Sequence, residues 1–153
     1  MDDIPRDSNK DSIWLLESNI DDTTGEALGF TMERLLEQGA NDAFFIPIFM
    51  KKNRPAYQLS VLCTEEKVKN MESIIFQNTT TIGIRKVKMS RTILEREKRI
   101  IDTPYGPVQV KICKFQDQEY VYPEYEDVKK ICNKTGLDFQ RIYGEIKKKI
   151  SKL

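Results

Sequence analysis

Apolar residues along this chain recur either at every second position, as in a strand, or at every third and fourth position, as in an amphipathic helix. Runs of β-branched and aromatic residues predict strands, and apolar stripes between a capping residue and a glycine predict helices. In chain order, the pattern predicts a strand at 13–20, a helix at 25–38, strands at 43–50 and 57–63, a helix at 65–77, an extended stretch at 82–102, a return strand at 108–112 and helices at 123–135 and 139–150.

The predicted order is βαββαβ followed by a hairpin strand and two helices, which indicates an α+β fold with a ferredoxin-like core. Crossovers between parallel strands are right-handed. One edge of the sheet therefore collects the end of the first strand, the start of the first helix, the turn between the second and third strands and the start of the fourth. The return strand is expected to bring the helix that starts at Pro123 to the same edge. Pro47 places the second strand at an edge of the sheet.

The composition is that of a folded domain without a membrane-spanning segment and without a large net charge. The chain has 153 residues, of which 39% are hydrophobic and 32% are charged, and this suits a single domain over residues 12–153. Residues 1–11 are polar and are expected to form a disordered lead-in. The apolar runs are too short to cross a bilayer. The net charge of +1 predicts no nucleic-acid or membrane partner, so any anion site has to be local.

Cysteine and histidine usage limits the chemistry of the chain. Three cysteines at wide, irregular spacing favour free thiols in a reducing cytoplasm over a disulfide framework. Histidine is absent from the sequence, which excludes the usual zinc and haem sites and a Ser-His-Asp triad within this chain. Any catalysis is therefore assigned to carboxylates, lysine, arginine, tyrosine, cysteine or a cation bound by oxygen atoms.

A cluster of cations lies between the second and third predicted strands, where Asn53-Arg54-Pro55 predicts a tight turn. Lys51, Lys52 and Arg54 repel one another unless a negative group lies among them. That group could be a polyphosphate, bound by the guanidinium and neutralised by the lysines, or the acidic loop after the first strand. The alternative is a charged edge turn that only prevents aggregation between sheets.

The acidic loop offers oxygen ligands for a hard cation. Asp21 and Asp22, with Glu17 before them and Glu26 after them, are suited to Mg²⁺ or Mn²⁺. The alternative interpretation is that Asp22 and Glu26 only stabilise the start of the first helix. The exposed N–H groups at that helix start, next to Gly25, could also hold a phosphate.

Further polar motifs are predicted near the same edge of the sheet. The hydroxyls of Thr79 to Thr81 precede the fourth strand, although threonine is also common there for its β-propensity alone. Arg85 follows them and either adds a donor or is simply exposed. Glu124 starts an acidic helix that suits the helix dipole and is a weaker candidate ligand. Tyr125 either stacks on a base or packs in the core.

Five of these motifs stand in a fixed order along residues 13–150. They are Glu17-Ser18-Asn19-Ile20-Asp21-Asp22 with Gly25-Glu26, Met50-Lys51-Lys52-Asn53-Arg54-Pro55, Thr79-Thr80-Thr81-Ile82-Gly83-Ile84-Arg85, Thr103-Pro104-Tyr105-Gly106 and Pro123-Glu124-Tyr125-Glu126-Asp127. Together they resemble the C-terminal domain of the LarC-type nickel insertion proteins, which complete the nickel-pincer nucleotide cofactor used by lactate racemase. The N-terminal domain of that family is not matched.

The resemblance implies an enzyme, a CTP-dependent nickel chelatase or cyclometallase of the lyase class. Its reaction would insert nickel, as a substrate, into pyridinium-3,5-bisthiocarboxylic acid mononucleotide, with CTP and Mg²⁺ or Mn²⁺ as cofactors. The resemblance also implies a homo-oligomer, and a partner in an N-terminal nickel-insertion domain or subunit. The alternatives are a non-catalytic module that senses CTP and a module that only oligomerises.

The resemblance further implies roles for individual residues. Lys51, Lys52 and Arg54 would neutralise the triphosphate and are the catalytic candidates. The nucleotide-binding candidates are Asn19, Gly25, Thr79, Thr80, Thr81, Arg85 and Tyr125. The metal-binding candidates are Glu17, Asp21, Asp22, Glu26 and Glu124.

Overall fold

The computed structural model describes residues 11–150, which divide into two compact units, one ending at Thr92 and the other beginning at Ile93. Each unit has its own antiparallel sheet, its own pair of α-helices and its own core, so the predicted α+β class is confirmed. The predicted lead-in lies outside the described residues, apart from Asp11, where the first strand begins. The single domain over residues 12–153 stays a prediction, because two cores in one chain can still unfold in one cooperative step.

The first unit has the predicted βαββαβ order. Its elements are β1 (Asp11–Ile20), α1 (Gly25–Glu37), β2 (Asp42–Met50), β3 (Arg54–Cys63), α2 (Val68–Asn78) and β4 (Arg85–Arg91), with short 3₁₀ turns at Lys51–Asn53 and Glu65–Lys67. The strands pair in the order β2-β3-β1-β4, and every neighbouring pair is antiparallel. This is the arrangement expected of a split βαβ core. β2, which contains Pro47, lies at the edge of the sheet as predicted.

Both helices of the first unit pack on one face of its sheet. Alternation along β1 and β3 directs Leu16 and Leu59 toward this face. There they join Leu35 of α1 and the α2 residues Met71 and Ile75 in a core of fully buried side chains. The alternate residues of β1 and β3, which lie between the core residues of each strand, point to the opposite face. We call it the open face, because both described helices of this unit lie on the other side of the sheet.

The second unit is a three-stranded sheet with two helices. Its elements are β5 (Glu95–Thr103), β6 (Gly106–Phe115), β7 (Gln118–Pro123), α3 (Tyr125–Thr135) and α4 (Phe139–Ile150). The strands pair in the order β5-β6-β7, again antiparallel. Val108, Val110 and Ile112 of β6 meet Val128 of α3 and Ile142 of α4 in the core of this unit. Among residues 11–150, no helix is both long enough and apolar enough to cross a bilayer.

The extended stretch predicted at 82–102 consists of two strands that belong to different sheets. Residues 92–94 separate β4 from β5 without a glycine or proline, so the sequence carries no turn signal there. The return strand, β6, consequently pairs with β5 and not with the fourth strand of the first sheet. β7 is absent from the sequence-based prediction. The two-residue turn before it places Gln116 at a positive φ of 53°, a conformation that is uncommon for glutamine.

The start of α3 is held against β6 through the backbone of Gln109. The N–H of Gln109 donates to Oδ2 of Asp127 at 2.9 Å, and the N–H of Glu124 donates to the carbonyl of Gln109 at 2.9 Å. β7 ends at Pro123, and the two hydrogen bonds of Gln109 continue the contact with β6 beyond the last strand pair. The hydrogen bond from Gln109 lowers the pKa of the Asp127 carboxyl, because it stabilises the charged form.

Candidate functional site

Three segments of the first unit meet at one edge of its sheet, as the topology predicts. We call this edge the corner, which comprises residues 19–25, 51–54 and 79–85. Nη1 of Arg54 lies 3.2 Å from Oδ2 of Asp21, so a salt bridge joins the cationic turn to the acidic loop. The hydroxyl of Thr80 donates to Oδ1 of Asp22 and joins the loop before β4 to the same acidic pair. The cationic turn and the paired aspartates are therefore neighbours in the folded chain.

The cationic turn is a three-residue loop, Lys51–Asn53, after which β3 begins at Arg54. The turn thus lies two residues earlier than the predicted Asn53-Arg54-Pro55. Lys52 and Asn53 take positive φ values of 62° and 56°, in the left-handed region that closes many tight hairpin loops. Lys51 and Lys52 are both exposed, and within the described residues neither forms a salt bridge or a hydrogen bond. The turn therefore presents two lysines whose charges are not neutralised by a neighbour.

The start of α1 is capped by Thr24, whose Oγ1 accepts a hydrogen bond from the N–H of Ala27 at 3.2 Å. Asp22 therefore does not cap this helix, and its carboxylate binds Thr80 instead. Glu26 lies in the first turn and is exposed, as expected for an acidic group that complements the helix dipole. Gly25 is also exposed, and no heavy atom lies within 4 Å of the position that a Cβ would occupy. The helix start is thus open to an incoming anion.

The three threonines shape the loop between α2 and β4. The Thr79 hydroxyl donates to the carbonyl of Ile75 at 2.7 Å, at the end of α2, and the Thr81 hydroxyl donates to the carbonyl of Gly83 at 3.0 Å. None of the three lies in a strand, so β-propensity does not explain their presence. Thr80 differs from the other two, because its hydroxyl is directed at the acidic loop.

A second group of polar residues lies beside the corner on the open face of the sheet. Cross-strand pairing places Glu17 of β1 opposite Ser60 of β3 on one side and opposite Arg85 of β4 on the other. Asn19 lies opposite Gln58. Arg85 donates to Oδ1 of Asn19 at 2.9 Å, its Nε lies 3.9 Å from Oε2 of Glu17, and Gln58 donates to Oε1 of the same carboxylate. We call these five residues the polar strip.

Two members of the polar strip, Gln58 and Ser60, are not among the candidates that the sequence singles out. They lie within an ordinary strand pattern, and only the register of β3 against β1 brings them beside Glu17 and Asn19. The signal that could have revealed them is the alternation of β3, which places both residues on the face opposite the core. Their inclusion extends the candidate site from the corner onto the open face.

The candidate metal ligands of the first unit do not gather into a site made by the protein alone. Among residues 11–150, no group of three or more cysteine, aspartate or glutamate side chains is placed to hold a metal ion. Glu17 binds Gln58 on the open face, and Asp21 binds Arg54. Asp21 and Asp22 are adjacent in sequence, and they are the two candidate carboxylates that could bind one ion together.

Glu124 and Tyr125 belong to the second unit, where Glu124 is the residue that precedes α3. The ring of Tyr125 lies 5.6 Å from the ring of Phe139, and the ammonium group of Lys129 lies 5.6 Å from the Tyr125 ring. The reasoning that the return strand delivers these residues to the corner is wrong, because β6 belongs to the other sheet. Their participation in the site stays a prediction.

The sequence of the chain matches one protein family over most of its length. Residues 3–143 match the family described as Nickel insertion protein. The pyridinium-3,5-bisthiocarboxylic acid mononucleotide nickel insertion protein of Alkaliphilus metalliredigens is 70% identical over 135 residues, which are 88% of this chain and 32% of that protein. The protein of the same name from Lactiplantibacillus plantarum is 44% identical over 133 residues, 87% of this chain and 32% of that protein. The chain thus spans about a third of the length of these relatives.

Solved structures agree with the sequence matches. The apo form of LarC2, the C-terminal domain of a cyclometallase involved in the synthesis of the NPN cofactor of lactate racemase, superimposes with a TM-score of 0.84 at 43% identity, covering 89% of this chain and 94% of that one. Protein MK0293 from Methanopyrus kandleri shares the fold, with a TM-score of 0.63 at 21% identity over 89% of this chain and 88% of that one. The resemblance that the ordered motifs predict is confirmed, and the chain belongs to the nickel insertion protein family.

Proposed function

We propose that this chain supplies the CTP-binding part of an enzyme that inserts nickel into pyridinium-3,5-bisthiocarboxylic acid mononucleotide, for the nickel-pincer cofactor of lactate racemase. Family membership supports the nickel-insertion step. One observation carries the nucleotide site: Lys51 and Lys52, without a partner among the described residues, stand beside Arg54 and the acidic pair at the corner. An unneutralised pair of cations at a fixed turn is suited to a polyphosphate.

Binding of a triphosphate requires only a modest rearrangement of the corner. Arg54 is engaged by Asp21 in a salt bridge whose side chains are 55% and 20% exposed, and solvent-exposed pairs contribute only about 0–1 kcal/mol. A triphosphate, which carries several charges, can therefore compete for the guanidinium. The open start of α1 at Gly25 adds backbone N–H donors that favour negative charge.

The corner fits a divalent ion when the nucleotide supplies part of the coordination. Mg²⁺ at nucleotide sites usually takes one or two carboxylates together with phosphate oxygens, without a cage made only of protein groups. Asp21 and Asp22 supply the two carboxylates, and the Thr80 hydroxyl fixes the position of Asp22. When bound, Mg²⁺ or Mn²⁺ would neutralise charge on the phosphates.

The chain's own residues then act by binding and orientation. Phosphoryl and nucleotidyl chemistry depends mainly on fixed positive charge, so the absence of histidine is no obstacle. Lys51, Lys52 and Arg54 would hold the triphosphate and stabilise the charge that develops on it. Nickel is a substrate of the reaction. The three cysteines are unpaired, which supports the proposed reducing cytoplasm.

The nucleotide site is tested by replacing both lysines of the turn. Lys51→Ala/Lys52→Ala should weaken binding of Mn²⁺–CTP at least about tenfold in calorimetry, because two charge-assisted contacts of about 1 kcal/mol or more each are lost. Lys69→Ala is the matched control, since Lys69 is exposed on α2 and forms no salt bridge within the described residues. Unchanged affinity in the double variant, or an equal loss in the control, contradicts the assignment. Consumption of CTP in the presence of the mononucleotide would separate catalysis from CTP sensing.

We also propose that the chain forms a homo-oligomer and works with an N-terminal nickel-insertion domain or subunit. Two large apolar side chains, one in the corner and one next to it, support a protein contact there. Ile82, in the loop before β4, is fully exposed, and Phe49, near the end of β2, is 77% exposed. The acidic and basic turns pair within one chain through Arg54 and Asp21, so they are not needed as the contact between subunits. Sedimentation of the Ile82→Ser variant against the parent chain tests the assignment, with a smaller assembly as the expected result.

A further inference from the structure

The sheet of the second unit carries a group of cations on the face that points away from its helices. Val110 and Ile112 of β6 point into the core, so alternation directs Lys111 between them to the opposite face. Lys98 of β5 is paired with Lys111 and lies on the same face, as does Arg96 two residues before it. Within the described residues, none of the three cations forms a salt bridge or a hydrogen bond.

The sequence of β5 separates its charges by face. Glu95 and Glu97 alternate with Arg96 and Lys98, and a strand has a period of two, so the carboxylates lie on the helix side and the cations on the other. Among the described strand residues of this sheet, the acidic residue on the cationic side is Asp102, about 13 Å along the strand from Lys98. No carboxylate of the sheet therefore lies close enough to neutralise these cations.

Two cations on this face stand directly opposite each other. Lys98 and Lys111 are cross-strand partners, and like charges in this position destabilise a sheet. Lys98 is exposed and Lys111 is half-buried, so solvent does not fully screen the repulsion. A bound anion between the two ammonium groups would remove it.

The third strand adds two aromatic rings to the same face. Tyr120 is paired with Cys113 and Tyr122 with Lys111, and the two tyrosines are 40% and 42% exposed. The ammonium group of Lys147 lies 5.6 Å from the ring of Tyr122, whereas the ring of Tyr120 has no aromatic or cationic neighbour within the described residues. Tyr120 thus offers an open ring. We call the surface the cationic face, which consists of Arg96, Lys98, Lys111, Cys113, Tyr120 and Tyr122.

The dimensions and chemistry of the cationic face suit a small aromatic molecule with several negative groups. Three strands span about 10 Å, and residues two apart on one strand are about 7 Å apart, which is the size of a substituted ring with a sugar phosphate. Arginine and lysine bind carboxylate-type groups and phosphate through charge-assisted hydrogen bonds, and a tyrosine ring attracts a cationic ring. The net charge of the chain is only +1, which favours a small anion over a long nucleic acid.

We propose that the cationic face binds the mononucleotide into which nickel is inserted. This molecule combines a pyridinium ring, two thiocarboxylates and a phosphate, as the name of the relatives states. The cationic ring packs on Tyr120, and Arg96, Lys98 and Lys111 take the three anionic groups. The inference rests on the proposed nickel-insertion reaction for the identity of the ligand, and it does not depend on the nucleotide site at the corner.

The first test is calorimetry on the full chain with three ligands, each titrated separately. The ligands are the bisthiocarboxylate mononucleotide, nicotinamide mononucleotide and Mn²⁺–CTP. Nicotinamide mononucleotide keeps the pyridinium ring and the phosphate but carries one neutral carboxamide in place of the two thiocarboxylates. It should bind at least about tenfold more weakly than the bisthiocarboxylate, because two charge-assisted contacts are missing.

A double variant on the face is compared with a double variant on its reverse side. Lys98→Gln/Lys111→Gln should weaken the bisthiocarboxylate at least about tenfold and leave Mn²⁺–CTP unchanged. The matched control is Arg99→Gln/Lys114→Gln, which removes two positive charges from the same two strands. Arg99 and Lys114 lie on the helix side, where they form salt bridges with carboxylates of the sheet. The control should therefore keep the parent affinity for both ligands.

A second measurement locates the bound mononucleotide. Cys113 lies on β6 between Arg96 and Tyr120 and is half-buried, so a ligand on the face covers its thiol. With the bisthiocarboxylate at ten times its Kd, alkylation of Cys113 by iodoacetamide should slow about tenfold, by mass action. Cys132 on α3 is the internal reference and should react at its usual rate. Tyr120→Ala should weaken the mononucleotide about 2–5-fold, the range of an exposed cation–π contact.

Several outcomes would overturn the inference. They are an unchanged affinity in Lys98→Gln/Lys111→Gln, an equal loss in the control, equal binding of nicotinamide mononucleotide, and unprotected Cys113. A short single-stranded RNA that binds more tightly than the mononucleotide, and is weakened by the same double variant, would make the face a nucleic-acid surface instead. Binding of Mn²⁺–CTP without the mononucleotide refutes this inference and leaves the nucleotide site. Binding of the mononucleotide without Mn²⁺–CTP refutes the nucleotide site and supports this inference.

Discussion

Replacing Asp21 by Asn should change the affinity for metal-free CTP and for Mn²⁺–CTP in opposite directions. In the free chain the Asp21 carboxylate holds Arg54 at 3.2 Å, and it competes with phosphate for the guanidinium. In the metal complex the same carboxylate is assigned to the ion. Asp21→Asn therefore removes the group that competes with metal-free CTP for Arg54. The same substitution removes a carboxylate ligand of the ion in Mn²⁺–CTP.

The expected size follows from the geometry of the pair. Unit charges 3.2 Å apart attract by about 1.3 kcal/mol at the dielectric constant of water. Because both side chains are partly exposed, side-chain ordering and salt reduce this to about 0.2–1 kcal/mol. Metal-free CTP should therefore bind about 1.5–5-fold more tightly to Asp21→Asn. Mn²⁺–CTP should bind about tenfold or more weakly, the effect typical of a lost contact between charged groups.

Calorimetry with CTP in the presence of EDTA and in the presence of Mn²⁺ measures both effects, with Glu33→Gln as the control for a lost negative charge elsewhere on the unit. If Asp21→Asn tightens both ligands, the carboxylate repels phosphate and does not hold the ion. If it weakens both, Asp21 supports the shape of the corner and the metal assignment is refuted. Only opposite changes in the affinities for metal-free CTP and Mn²⁺–CTP support the assignment of Asp21 as a metal ligand.

Two predictions concern stability. Leu35→Ala should lower the free energy of unfolding by about 2–5 kcal/mol in urea denaturation, because Leu35 is fully buried in the first core. Leu36→Ala is the control, since Leu36 is the next residue and is half exposed. Similar losses of stability in the two variants would contradict the assigned helix face. Asp127→Asn should lower the stability at pH 7 by about 1 kcal/mol. Because the backbone N–H of Gln109 lowers the pKa of Asp127 in the folded chain, its contribution is present above the unfolded pKa of about 3.9 and is lost as the pH falls through the folded pKa. The difference between parent and variant should therefore disappear in strong acid, and a constant difference across pH would refute the role of the carboxylate.

The sequence predicted the first unit nearly completely, because its signals are local. The helix over Gly25–Glu37 shows a clear apolar stripe between Thr24 and Gly39, and the strands are runs of β-branched and aromatic residues. The order of the elements, combined with the handedness of crossovers, was enough to predict that the cationic turn and the acidic pair lie at one edge. The salt bridge between Arg54 and Asp21 confirms this proximity.

The second unit was harder to predict, because its boundaries depend on contacts that the sequence does not mark. The break at 92–94 has no glycine or proline, and the turn at Gln116 uses a left-handed conformation that glutamine rarely adopts. Where such signals are missing, strand ends are decided by which partner strand and which core are available. The return strand was consequently placed in the wrong sheet, and Tyr125 was expected at the corner for the same reason.

Local sequence by itself therefore determined the elements of the first unit, the family and the identity of the charged motifs, because periodicity and motif order are properties of the chain alone. Only the tertiary structure decided that Arg54 binds Asp21, and that Gln58 and Ser60 join Glu17 on the open face. Each of these depends on the register between strands that are distant in sequence, and a shift of one residue would send every side chain to the other face.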